Sequence, residues 1–280
     1  LKDEDKWIIS RVNDAVKYIT NTLEKFDLAL AGQRAYDLIW NEYCDWYIEL
    51  VKKRLWGDDE EDKKTVRFVL VMVLKNMLEM LHPFMPFITE EIYSSLPHFE
   101  DKESIMISTY PEVKDELDFS LDEEKMERVI GAIREIRVRR NEMNVVPSRK
   151  AKVYIVTKYP ESFGDATHPF FARLASASEV EVAAAFAEDV VSADNAVQII
   201  TDSATVYLPL SELIDTEKER ARLSKELEKT QGEIKRLEGK LSNAGFVAKA
   251  PAQVVDAEKA KLEKYKETLA AIEAALAKLA

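Results

Sequence analysis

The 280-residue sequence is poor in the residues that build disulfide scaffolds, tight turns and most catalytic sites. Its single cysteine, Cys44, excludes an internal disulfide framework and suits a reducing compartment, the cytoplasm. Cys44 itself reads as a small buried apolar residue on a helix. Glycine occurs only 7 times, well below the usual ~7%, which favours a mainly helical chain. The longest unbroken apolar run, FVLVMVL at 68–74, is far short of the ~20 residues that a membrane-spanning helix needs. Three scattered histidines, His82, His98 and His168, read as surface or helix-end residues, two of them standing directly before prolines. No GxxxxGK[ST], GxGxxG or GxSxG pattern occurs. The acidic pairs Glu90/Glu91 and Glu123/Glu124 are adjacent on helices and read as solvated helix starts favoured by the macrodipole. No metal, cofactor or catalysis is expected of this chain alone. It begins LKDEDKW, without methionine, and reads as a piece of a longer protein.

What is present is charge, unevenly spread. The net charge is −12, which by itself argues against nucleic acid. Residues 215–280, however, hold 14 Lys and Arg against 12 Asp and Glu, so the remainder carries a net charge of −14. An acidic body with a slightly basic extension points to a polyanionic partner.

Hydrophobic spacing divides the chain into three parts. Residues 1–118 read as a helical bundle. A first helix at 6–26 carries Ile8, Val12, Ala15, Ile19 and Leu23. A second runs from Gln33 to Leu55 and is rich in aromatics (Tyr36, Trp40, Tyr43, Trp46, Tyr47). An acidic loop at 57–64 precedes a very apolar helix at 65–81. Pro83 and Pro86 interrupt the chain before a short helix at 87–96. An extended crossing segment at 103–120 follows.

Residues 119–210 read as an Arg-rich helix (122–143) and a small α/β module. The module has strands at 152–156, 179–183, 196–200 and 205–210, a helix near 168–176, and a hairpin turn at 201–204. Spacing alone does not set its strand order. Residues 211–280 are two heptad arms. Leu223, Leu227, Thr230, Ile234, Leu237 and Leu241 form one seam. Val255, Glu258, Leu262, Tyr265, Leu269, Ile272, Leu276 and Leu279 form the other. Joined through SNAGFVAKAPAQVV (242–255), they predict an antiparallel coiled-coil hairpin reaching roughly 40 Å.

The candidate site residues are basic. Arg134, Arg137, Arg139 and Arg140 lie on the helix at 122–143, with Arg149 and Lys150 just beyond it. Arginine forks match phosphate geometry and stack on bases, but they could equally pair with the acidic bundle. The aromatics of 33–55 could stack unpaired bases or fill the core. On the hairpin, Arg236 and Lys240 approach the tip, Lys249 lies in it, and Lys259, Lys261 and Lys264 leave it. They are either a grip on a phosphate backbone or ordinary solubilising positions.

Several segments also carry a family likeness. DKWIISRVN (5–13), YDLIWNEYCDWYIEL (36–50) and LHPFMPFITEEIY (81–93) closely resemble the anticodon-binding region of valyl-tRNA synthetases. SNAGFVAKAPAQVV with its flanking heptads resembles their C-terminal coiled coil, and SIMISTYP (104–111) and IREIRVRRNEMNVVPS match the segments between. The resemblance implies a mainly α fold: an anticodon-binding bundle whose first helix would precede this sequence, a small α/β module and a coiled-coil arm. It implies tRNA(Val) as partner, a monomer, and a cytoplasmic protein with no membrane association. ATP and valine would bind an upstream catalytic domain, so none is held here. Arg236, Lys240, Lys249, Lys261 and Lys264 would lie against the tRNA elbow. Arg11, Arg134, Arg137, Arg139, Arg140 and Arg149 would lie toward the anticodon. The alternative is a coiled-coil module that binds a partner helix or self-associates.

Overall fold

A computed structural model describes residues 1–97, 102–185, 195–213, 216–242 and 252–278. Helix α1 (Asp3–Glu24) puts Ile8, Val12, Ala15 and Ile19 into the core, as its 3- and 4-residue spacing demands. Asp27 caps the next helix by accepting from the Leu30 amide. That helix, α2 (Leu28–Asp37), begins five residues before the sequence reading placed it. It runs directly into a π-helical stretch, Leu38–Tyr47, and then α3 (Ile48–Leu55). The π stretch turns Tyr43, Trp46 and Tyr47 inward and leaves Trp40 outside. The expected acidic loop at 57–64 is a helix start instead. Asp59 accepts from the amides of Glu61 and Asp62 and opens α4 (Glu60–Leu81). Acidic residues in a first turn are favoured there by the helix dipole. Pro86 stands at the first position of α5 (Pro86–Ser95), where its missing N–H costs nothing.

The crossing segment contains two 3₁₀ turns, Ile105–Ile107 and Asp115–Leu117. Asn13 pins it to α1, its side chain bonding both the carbonyl and the amide of Lys114. Helix α6 (Ser120–Glu142) then lies along α1, burying Met126, Val129, Ile130, Ile133 and Ile136.

The α/β module follows as β1 (Ala151–Thr157), a 3₁₀ turn (Pro160–Phe163), α7 (His168–Leu174), β2 (Ala177–Ala183), β3 (Ala196–Ile200) and β4 (Ala204–Pro209). The sheet order is β2-β1-β4-β3, with β1 and β2 parallel and the other pairs antiparallel. The predicted hairpin closes where the Thr201 amide donates to the Ala204 carbonyl. Phe163 and Phe171 pack beneath the sheet with ring centroids 6.2 Å apart. Arg128 of α6 ties the module to the bundle: its guanidinium carbon lies 4.0 Å from the Tyr159 ring centre, and it donates to Ser162 and Glu124.

A short helix, α8 (Leu210–Leu213), precedes the arm, which is α9 (Thr216–Ser242) and α10 (Ala252–Lys278). Leu223, Thr230 and Leu237 of α9 and Val255 and Ile272 of α10 are buried along the seam. Tyr265, placed on the seam by its spacing, is exposed at the rim. Ion pairs Lys240–Glu258 and Lys266–Glu238 cross between the helices and fix their antiparallel pairing. Among the described residues no helix is long and apolar enough to cross a membrane.

Candidate nucleic-acid interface

The arm supplies four of the five cations expected there; Lys249 lies outside the described residues. Lys240 of α9 and Lys261 of α10 approach the same oxygen of Glu258, at 3.3 and 3.6 Å. Their charges hold the Glu258 carboxyl below its usual range, the Lys240 hydrogen bond contributing most. Two ammonium groups from opposite helices are thus gathered around one carboxylate. Arg236 sits over Glu233, one turn back on its own helix, at 3.4 Å, and remains largely exposed. Lys264 is exposed and has no carboxylate partner among the described residues.

The α6 arginines divide into two kinds. Arg134 and Arg137 face outward, their guanidinium carbons 5.8 and 6.0 Å from the centre of the buried Trp46 ring. Arg139 is also exposed and pairs with Glu142 at 3.1 Å. Arg140, by contrast, is buried and donates to the Arg149 carbonyl, so it is a brace at the helix end and not a surface cation. Burial also lowers the affinity of Arg140 for its proton. Arg149 in turn donates from Nε to the Glu212 carbonyl at 2.6 Å, joining the segment that leads into β1 to α8.

Arg11 is a further departure from the expected placement. Its Nε and Nη2 fork onto Glu42 at 2.8 and 2.9 Å, and Nη1 reaches Glu123 at 3.0 Å. Arg34 joins the same Glu42 at 2.8 Å. Arg11 therefore ties α1 to the π stretch and to α6. The sequence offered both readings for such arginines, and here partnership with the acidic bundle won. Charge-assisted forks of this kind are stronger than neutral hydrogen bonds.

Among the aromatics of 33–55, Tyr43, Trp46 and Tyr47 are core, while Tyr36 and Trp40 are exposed. Sequence reasoning missed a second surface, at the far end of the bundle. A side-chain carbon at Gly32 would stand 4.0 Å from Phe84, so the second turn of α2 lies beside the loop into α5. Phe26 and Phe87 there are each 90% exposed, and Leu28, Met85 and Ile88 are exposed as well. Phe26 has φ 60, so the chain turns sharply between α1 and α2 and presents the ring outward. Clustered exposed apolar side chains are a feature of binding surfaces. The available signal was an apolar density in HPFMPFI too high for a ten-residue surface helix.

A cavity of about 1130 Å³ opens where α1, α3 and α7 meet, lined in part by Leu1, Trp56, Met126 and Phe170. Its charged lining is mixed, with Asp3, Glu4, Glu49, Asp58, Asp59 and Asp62 beside Lys2, Lys53, Arg54 and Arg173, so it offers a polyanion no net positive charge. Among the described residues no His, Cys, Asp and Glu group could hold a metal ion.

Comparison with known proteins identifies two regions of the chain. Residues 5–155 match the family described as anticodon-binding domain of tRNA ligase. Residues 215–280 match the valyl tRNA synthetase tRNA binding arm. Curated relatives include the valine–tRNA ligases of Clostridium acetobutylicum (46% identical over 277 residues, 98% of this chain and 31% of the relative), Clostridium tetani (49% over 269 residues, 96% and 30%) and Bacillus subtilis (37% over 277 residues, 98% and 31%). The chain thus spans a little under a third of the length of these relatives. It belongs to the valyl-tRNA synthetase family of tRNA ligases, with that family's anticodon-binding domain followed by its tRNA binding arm.

Proposed function

We propose that this chain is the tRNA-holding portion of a ligase that attaches valine to tRNA(Val). The bundle receives the anticodon stem-loop: the patch formed by Phe26, Leu28, Met85 and Phe87 stacks unpaired bases, which is the usual way single-stranded RNA is held. Arg134 and Arg137 of α6 meet backbone phosphates. The arm lies against the outer corner of the tRNA, with Arg236, Lys240, Lys261 and Lys264 contacting phosphates without reading sequence. Valine and ATP are handled by the remainder of the ligase, in the cytoplasm. The single observation that most supports this reading is the union, on one acidic chain, of an apolar-ended helical bundle with a slightly basic two-helix arm.

The test is binding of the chain to tRNA(Val) and to a non-cognate tRNA over a range of salt, with light scattering to record its mass. A monomer is expected, with cognate preference and affinity falling steeply as salt rises. Equal, weak binding to both would assign the chain only a phosphate-clamping role. Salt-independent binding, or none, would refute the proposal.

A further inference from the structure

Arg134 and Arg137 stand three residues apart on one face of α6 and lean on a single indole. The Trp46 ring beneath them is only 6% exposed and belongs to the π-helical stretch, where it is packed into the core. Neither arginine has a carboxylate within ion-pair distance among the described residues. The neighbouring cations do: Arg11, Arg128, Arg139 and Arg173 are each paired with a glutamate. A guanidinium resting on an aromatic face keeps its edge donors directed outward, and its planar fork fits phosphate oxygens. Because the side chain is already held, less rotamer freedom is lost when a ligand arrives. An otherwise acidic body thus keeps two adjacent, oriented and unneutralised forks at one spot.

We propose that Arg134 and Arg137, stacked on Trp46, form a preset clamp for phosphodiester groups of an RNA strand, with Trp46 as the positioning residue. The inference rests on the tRNA reading above. It adds which cations of the body grip phosphate and why they are arginine.

The experiment compares full-length variants for tRNA(Val) binding across salt. R134A/R137A should make the slope of log affinity against log salt shallower by about 1–2, since each phosphate contact contributes about 0.7–0.9. R134K/R137K keeps both charges and loses the stacked fork. Its slope should match the parent while affinity falls at least about fivefold, because two side chains no longer held in place must be ordered when RNA binds. R139A, already paired with Glu142, should change little. An unchanged slope in the alanine pair, or parental affinity in the lysine pair, overturns the clamp. Side-chain ¹⁵N signals of Arg134 and Arg137 during titration with inorganic tripolyphosphate separate the two layers of the argument. Shifts there without any tRNA binding would keep the clamp and reject the tRNA reading. Still signals in a chain that binds tRNA would reject the clamp alone.

Discussion

Replacing Arg54 by methionine tests the electrostatics that lock the bundle. Arg54 sits at the end of α3 with a side chain only 9% exposed. Its Nη1 donates to Glu4 and Asp5 at 2.8 Å, and its Nη2 to Asp62 at 2.6 Å. Asp5 is fully buried and also accepts from the Tyr47 hydroxyl at 2.9 Å. One cation therefore joins α1, α3 and α4, and removing it leaves carboxylates buried together. Breaking a buried pair by deleting one partner costs about 3–5 kcal/mol, so Arg54→Met should lose stability on that scale at pH 7. All four tryptophans, Trp7, Trp40, Trp46 and Trp56, lie in the bundle. Urea unfolding followed by their fluorescence thus reports on this part alone.

The pH dependence supplies the sharper check. Burial already raises Glu4 above its ordinary 4.5, with Arg54 among the influences opposing the rise. A carboxyl raised in the folded state contributes stability below its unfolded value and loses it as pH rises. Without Arg54 the rise is larger, so the variant should recover part of its deficit between pH 7 and pH 5, as buried carboxyls take up protons. Asp62 runs the other way. The Arg54 hydrogen bond holds it at about 2 against 3.8, so its contribution is present above pH 4 and lost as pH falls toward 2. That acid loss should shrink in the variant. A deficit below about 1 kcal/mol at pH 7, the scale of an exposed pair, would refute the reasoning. So would a deficit that grows between pH 7 and pH 5.

Three other outcomes are expected. Glu258→Gln frees Lys240 and Lys261 on the arm, so tRNA should bind more tightly at low salt with a steeper salt slope; unchanged binding would show that these lysines do not meet RNA. Phe87→Ser should leave the fluorescence-monitored unfolding midpoint in place, because the ring is 90% exposed. It should weaken binding of an anticodon stem-loop by about 1–3 kcal/mol, the value of one stacked base; equal binding would remove the patch from the interface. Arg128→Ala loses the Tyr159 stack and the Ser162 bond. It should expose the 157–163 segment to proteolysis earlier than in the parent, while cleavage at unchanged times would deny it a role in joining α6 to the sheet.

Much of this protein is written in local pattern. Helical spacing in α1 and α6 named residues that are buried, Leu23 at the end of α1 only in part, because a 3.6-residue period forces one face inward whatever lies opposite. The heptads of α9 and α10 determined an antiparallel pair, since a 3.5-residue seam must be covered. The resemblance carried by DKWIISRVN and SNAGFVAKAPAQVV placed the chain in its family. Local pattern failed at 57–64, where a capping aspartate turned an acidic run into a helix start.

Partner choice was left to the tertiary structure. Arg11, Arg140 and Arg134 look alike in sequence, yet Arg11 is held by Glu42 and Glu123, Arg140 is buried at a helix end, and Arg134 is exposed on an indole. The same holds for Trp40 and Trp46, six residues apart in an aromatic run, one outside and one in the core. A charge acquires its role from what stands opposite, and the partners of Arg11 come from 31 and 112 positions away in the chain. Hydrophobic spacing is a property of one segment and can be read alone. The pairing of charges, the strand order β2-β1-β4-β3 and the apolar end of the bundle depend on separate segments meeting, and only the folded chain decides where they meet.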